Sequence, residues 1–240
     1  MKHRILNDKL LSNDSMLQYL KNGADLYAKY VGKDLLFIFR QGKEKPYDYY
    51  EIYFGAENFM HLAGIKSKSV RAEDFLALCV SGTVRPEDCN PKHSVNNRNS
   101  KIMRLEKLLD FCNSKCYKIG SKDLITKDND FEMAIGNDSG IVGFDSRVSQ
   151  KGSKEIDKKH LPIPVTLLAN PITQYSSNPQ KIMFILQKEE CDTYYKDIFY
   201  EIKNGLLKTE AVQFSDELQQ RFSFHYSRGS NDDKSVGVSL

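Results

Sequence analysis

EIYFGAENFMHLAGIK, residues 51–66, changes its period in the middle. Through Phe54 the chain alternates. Tyr50, Ile52 and Phe54 share one side and Tyr49, Glu51 and Tyr53 the other, the two-residue period of a half-buried strand. Gly55 breaks the run, and 56–63 reads as one or two helical turns with Phe59 and Leu62 inward. Gly64 suits the left-handed residue that ends a helix. His61 rides on this turn, with Lys66 and Lys68 just downstream. The stretch reads as the junction between a hairpin and a helical layer.

Upstream, DLLFIFR (34–40) is rich in β-formers, and a polar turn with Gly and Pro (41–46) connects it to DYYEIYF, so the two runs read as a hairpin. Before them Ser12-Asn13-Asp14-Ser15 offers cap chemistry. Leu17, Leu20, Ala24, Tyr27, Ala28 and Val31 then recur at helical spacing, which predicts a helix over 15–31 ended by Gly32. Downstream, helices are expected over 70–80, closed by Ser81-Gly82, and over 101–113, with Ile102, Leu105, Leu108, Leu109 and Cys112 on one face. Between them PEDCNPKHSVNNRNS (86–100) is polar and turn-rich and reads as a mobile loop over a site.

Four short β-like runs follow: FEMAIGN (131–137), GIVGFDS (140–146), PVTLLANPI (164–172) and KIMFILQKE (181–189). Asn137-Asp138-Ser139-Gly140 is a tight reversal, and the lysine-rich 147–162 reads as a flap. Turn-spaced sequential strands predict a four-stranded antiparallel meander. The last run is apolar on both faces, so it should be a central strand covered on both sides, with Lys188 near its end at a cleft rim or snorkelling past a helix. Asp192 is expected to open a C-terminal helix over 192–207, with Tyr195, Ile198, Phe199 and Ile202 on one face. A short helix within 214–224 and a disordered tail complete the chain. The expected organisation is one domain over 1–207, with its core at 35–190, and an extension over 208–240.

A chain of 240 residues with 40% hydrophobic and 28% charged residues can bury a sizeable single core. The net charge of +3 does not by itself imply nucleic acid, but its distribution is uneven. Lys66, Lys68, Arg71, Arg85, Lys92, Arg98, Lys101, Arg104 and Lys107 crowd one third of the chain with few acids between them. The alternative is an ordinary solvated face. Five cysteines, an odd number without a CxxC pair, and a start (MKHRILNDK) without an apolar core suggest free thiols in a reducing cytoplasm. Cys112 and Cys116 have helical ligand spacing but no second pair, so no metal and no cofactor is expected. No apolar run is long enough for a membrane span.

His61 is the first candidate for chemistry. Nearby cations lower an imidazole's pKa and can hold a phosphate beside it. A neutral ring could then take a proton from a ribose hydroxyl while lysine or arginine stabilises the phosphorane. The alternative is a core-edge histidine that caps the next loop. His93, with Lys92 and Arg98, lies in the polar segment and could act or stand idle; His160 and His225 read as bland. There is no GxxxxGK[ST], GxSxG or HExxH motif, which argues against P-loop, serine-hydrolase and zincin chemistry, and no convincing spacing of a strand-borne acid followed by ExK, which weakens a two-metal nuclease.

At Phe54, Glu57, Asn58, Phe59, His61, Leu62, Gly64 and Ile65 (F-x-x-E-N-F-x-H-L-x-G-I) the chain resembles the phage-type members of the barnase–EndoU–colicin–RelE-like nuclease superfamily. EDFLALCVSG, the P-x-T-L-L run at Pro164, Thr166, Leu167 and Leu168, and KIMFILQKE extend the resemblance to about 35–190. Where that pattern has a hydroxyl residue before the glycine, this chain has Ala63. The resemblance implies an α+β fold, with N-terminal helices and a hairpin packed with a four-stranded antiparallel sheet, and an RNA site on the sheet's open side. It implies metal-independent RNA cleavage with His61 as acid or base, Lys66 on phosphate, and Thr166 and Lys188 across the cleft. Lys68, Arg71, His93 and Arg98 would bind RNA. The context would be a phage or mobile element, as a toxin or anti-phage effector, with RNA and an antidote or host protein as partners. The competing expectation is a non-catalytic phage or plasmid protein that inhibits a host defence protein. It predicts His61 buried on Phe59 with no cation in hydrogen-bond reach. A DNA-binding module would need a concentrated basic helix face, which no segment offers.

Overall fold

The computed structural model describes residues 11–40, 45–111, 118–120, 124, 131–146, 161–203 and 214–222. Helix α1 (Asn13–Tyr27) begins where Ser12 accepts a hydrogen bond from the Ser15 amide at 3.2 Å, and it buries Met16, Leu20, Gly23, Ala24 and Tyr27. The hairpin forms as read: β1 (Lys33–Arg40) and β2 (Tyr47–Tyr53) pair antiparallel from Asp34↔Tyr53 to Arg40↔Tyr47. After it come α2 (Asn58–Leu62), β3 (Ile65–Lys66), α3 (Ala72–Ser81), β4 (Asn90–Pro91) and α4 (Val95–Leu109). The second half supplies β5 (Lys118–Gly120), β6 (Met133–Asn137), β7 (Gly140–Asp145), β8 (Ile163–Leu168), β9 (Gln180–Glu189), β10 (Asp197–Glu201) and a short α5 (Asp216–Gln219).

The expected four-stranded sheet and separate hairpin are in fact one antiparallel eight-stranded sheet, in the order β2-β1-β9-β5-β6-β7-β8 with β10 also on β9. Of the four expected runs only those that become β6, β7 and β8 pair in sequence, and β5 precedes them on β6. β9 leaves β8 and pairs with β1 from Lys33↔Glu189 to Arg40↔Lys181. The physical reason was visible in its composition: a strand apolar on both faces is satisfied only in the middle of a sheet with both faces covered.

The C-terminal helix expected over 192–207 is also corrected, since 197–201 is strand β10, lying along β9 at Asp197↔Gln187 and Ile198↔Leu186. TYYKDIFYEI is aromatic and β-branched, and the unpaired edge of β9 decides between two periods that fit it equally. The segment 86–100 is not a loop. It holds a 3₁₀ turn (Pro86–Asp88), β4 and the first turns of α4, and Asp88 is tied to Ser69 at 2.5 Å and Arg85 at 3.1 Å. Residues 147–160 of the expected flap, His160, Cys112, Cys116, His225 and the tail lie outside the described residues.

α1 to α4 cover one face of the sheet over the main core. α1 crosses α4 closely at Gly23, where a Cβ would lie 2.6 Å from that of Leu105. The other face, expected to be open, is covered at two places. Leu36, Ile38, Phe184 and Leu186 pack under Phe214, Leu218 and Phe222 of the α5 segment. Phe131, Ala134 and Ile141 pack under Ile172. The sheet curls until its two ends meet, where the Tyr53 amide donates to the Pro162 carbonyl at 3.1 Å. α2 follows β2 directly and packs on β8, so it sits at that seam. Among the described residues no helix is long and apolar enough to cross a membrane.

Candidate functional site

α2 is only five residues long, too short to stand alone, and is held by burial of Phe59, Met60 and Leu62. Phe59 is fully buried against Tyr27 and Phe75 at centroid distances of 5.3 and 6.3 Å. That leaves His61 on the outer side of the helix, exposed. The Gly64 amide closes the helix on the His61 carbonyl at 3.0 Å. Gly64 itself has φ +69°, a conformation costly for any residue with a Cβ, and it turns the chain into β3.

β3 and β4 form a two-residue ribbon, Ile65↔Pro91 and Lys66↔Asn90, and the Gly64 carbonyl accepts from the Lys92 amide at 2.8 Å. The backbone of Lys92 is thereby pinned beside the end of α2, and its Nζ lies 2.6 Å from His61 Nε2. With the ammonium as donor, Nε2 accepts and the neutral ring carries its proton on Nδ1. Loss of hydration on its packed side, then the charges of Lys92, Lys101 and His93, hold the His61 pKa below the usual imidazole value. Lys101, two turns into α4, runs across Gly64: a Cβ there would be 2.9 Å from Lys101 Cδ. Burial and then Lys92 lower the Lys101 pKa as well.

The charges here are unbalanced. Among the described residues Lys66, Lys68, Lys92 and Lys101 form no ion pair with a carboxylate. Several cations elsewhere are paired with carboxylates: Lys21 with Asp25 at 3.0 Å, Arg71 with Asp74 at 2.8 Å, Arg85 with Asp88 at 3.1 Å, Lys188 with Asp34 at 3.2 Å and Lys196 with Asp192 at 2.5 Å. Cations beside an imidazole make the local potential positive, which favours an anion there.

The residues expected to form the site are only partly brought together. His61 and His93 interact, and Lys66 is exposed on β3 beside β4. Lys68 is exposed. Arg71 is occupied by Asp74 and Glu73 at the start of α3. The Arg98 guanidinium donates to the Cys89 carbonyl at 2.7 Å and to Asn99 at 3.0 Å, so it braces β4 against α4.

Thr166 and Lys188 lie across the sheet from His61. Thr166 pairs with Gly143, where a Cβ would meet Phe131 at 2.8 Å and the Thr166 methyl at 2.9 Å, on the face away from α2. Lys188 bonds Asp34 and the Asp192 carbonyl (3.0 Å) and lies over the Tyr195 ring. Lys92 and Lys101 replace them as companions of His61. Sequence reading saw Lys101 only as a member of a basic stretch and Lys92 also as a companion of His93, because a ribbon of two-residue strands carries no periodic signal.

Two other motif residues flank Gly55. Phe54 is fully buried, and the Glu57 carboxylate folds back over Gly55, whose carbonyl accepts from the buried Tyr27 hydroxyl at 2.9 Å. Among the described residues no three His, Cys, Asp or Glu side chains are grouped to hold a metal ion. No curated protein and no solved structure matches the chain significantly. A family model described as phage-Barnase-EndoU-ColicinE5/D-RelE like nuclease 4 matches residues 19–228, and the chain belongs to that nuclease family.

Proposed function

We propose that the protein is an endoribonuclease of a phage or mobile element, acting without a metal ion in the cytoplasm as a toxin or anti-phage effector. The observation that carries this reading is the neutral, exposed His61 in hydrogen-bond contact with Lys92, among cations that no carboxylate balances. It is the opposite of a histidine packed on Phe59 with no cation in reach, the arrangement expected of a purely protein-binding factor. Membership in a nuclease family supports the same direction.

In the proposed reaction the substrate phosphate draws Lys92 off His61 Nε2. The freed nitrogen takes the proton of the ribose 2′-hydroxyl, whose oxygen attacks the adjacent phosphorus. Lys92 and Lys66 neutralise the charge that grows on the non-bridging oxygens. The products are a 2′,3′-cyclic phosphate and a 5′-hydroxyl. A surround of cations repels a divalent metal, which is why the reaction is assigned to side chains alone.

Purified protein incubated with end-labelled RNA and the matching DNA in EDTA tests the reading. RNA should be cut to cyclic-phosphate ends while DNA, lacking the nucleophile, stays intact. Cleavage of DNA, or cleavage of RNA only after a divalent metal is added, would overturn it.

A second expectation concerns pH. His61 must be neutral to act, and its lowered pKa extends activity to more acidic pH than an ordinary imidazole allows. Lys92→Ala removes a cation beside the ring, so the His61 pKa rises and the acidic limb of the pH–rate profile moves to higher pH. Burial, the larger cause, remains in the variant, so the shift is partial. A profile that does not move, or moves to lower pH, argues against His61 as the base.

A further inference from the structure

We propose that Lys101 is the general acid that protonates the leaving 5′-oxygen, an assignment that rests on the ribonuclease reading above. The reaction needs a proton donor on the far side of the phosphate from the base. Lys101 comes from α4, a different element from the α2 that carries the base, and its stem crosses Gly64, with the neighbouring Asn97 Oδ1 and Arg98 Cα each 3.5 Å from where a Cβ at 64 would lie. Lys101 and His61 interact electrostatically but form no hydrogen bond, the relation expected of an acid and a base with a phosphodiester between them. The left-handed Gly64 thus has two functions: it ends α2, and it leaves the channel through which Lys101 reaches the site.

Lys92 is less suited to this step, because it is exposed and occupies the lone pair of the base. Lys101 is half-buried. The charges that face it are Lys92, at the end of β4, and His61, on α2; from α1 and β7, on the other flanks of α4, no charge among the described residues acts on it. Burial and the Lys92 charge both disfavour its ammonium form, which makes it a readier proton donor than a solvated lysine.

The step balances. As the P–O5′ bond breaks, the 5′-oxygen takes the electron pair and the Lys101 proton. The 2′-hydroxyl proton resides on His61 and returns to Lys101 through solvent after product leaves.

The test compares two RNA substrates, one ordinary and one with sulfur in place of the bridging 5′-oxygen. A thiolate leaves without being protonated. Lys101→Ala should slow cleavage of the oxygen substrate by ~10²–10⁴-fold and leave the sulfur substrate within about tenfold of wild type. Lys101→Arg, which keeps the charge but gives up its proton far less readily, should follow the same pattern. Equal losses on both substrates would overturn the assignment and make Lys101 a phosphate-binding residue only. If the wild-type protein cleaves neither substrate, the ribonuclease reading itself falls, and this assignment with it.

Circular-dichroism melting keeps the comparison fair and gives an independent sign. An ammonium whose folded-state pKa is lowered costs stability below that pKa, and the cost fades as pH rises toward the unfolded value. Lys101→Met should therefore melt higher than the wild type at neutral pH, and the difference should shrink as the pH is raised.

Discussion

His61→Gln is expected to cleave RNA some 10²–10⁴-fold more slowly than the wild type, with a fold stability unchanged to within about 0.5 kcal/mol. The two halves of this expectation come from the two sides of α2. The inward side, Phe59 and Leu62, is fully buried and holds the helix on the core. The outward side carries His61, whose side chain forms its only hydrogen bond among the described residues with Lys92. Glutamine can still accept from Lys92, so packing and charge are preserved, but it cannot take a proton near neutral pH. Single-turnover cleavage of labelled RNA in EDTA reads the first half and thermal melting the second. A variant that cleaves at the wild-type rate would remove His61 from the mechanism.

The sign of the accompanying pH effect can be worked out. The folded state holds the His61 pKa below about 6.5, its unfolded value, so between those two values the unfolded chain binds more protons. Wild-type stability therefore falls as the pH is lowered through that window. The glutamine variant lacks this cost and should gain on the wild type as the solution is acidified.

How much of this was legible depended on how local the signal was. The β1–β2 hairpin, the Asn137–Gly140 reversal and the helix end at Gly82 were all readable, because each is set by residues within a few positions of one another. The position of β9 was half-readable: its double apolar face announced a central strand, but nothing local said that its neighbour would be β1 rather than β8. The strand at 197–201 was misread because a helical stripe and a β-rich composition coincide there, and the free edge of β9, a tertiary fact, decides between them.

The site divides in the same way. His61 stood out by its motif, whereas the cations assigned to it, Lys66, Lys68 and Arg71, were chosen by nearness in sequence. The structure spends Arg71 on Asp74 and brings in Lys92 and Lys101 from about thirty to forty residues away, through the β3–β4 ribbon and the α4 crossing. Thr166 and Lys188 were placed across a cleft from His61 on the expectation of an open sheet face. Once that face proves covered by Phe131 and the α5 segment, they belong to its packing and ion pairing.

Phe54→Ala should be among the most destabilising single substitutions, losing about 3–5 kcal/mol. Phe54 is fully buried where strand hands over to helix, and its ring meets Tyr27, Tyr30, Phe111 and Phe144 at 5.5, 5.4, 6.2 and 5.9 Å. Those partners come from α1, the turn after it, the end of α4 and β7, so one ring joins the helical layer to the sheet near the seam where Tyr53 meets Pro162. Truncation removes the buried ring and leaves a cavity lined by rigid aromatic groups that cannot collapse into it.

Phe54→Leu, which keeps most of the volume, should lose markedly less. Urea unfolding of both variants checks the order, and equal losses would mean that the aromatic contacts, not the filled volume, hold the junction. The comparison also separates the two jobs of the motif. If Phe54 only supports the platform, a Phe54→Leu protein that remains folded should still place His61 against Lys92 and cleave RNA near the wild-type rate. A folded but inactive Phe54→Leu protein would show instead that the platform must be held more tightly than folding alone requires, with α2 positioned on the seam by the ring beneath it.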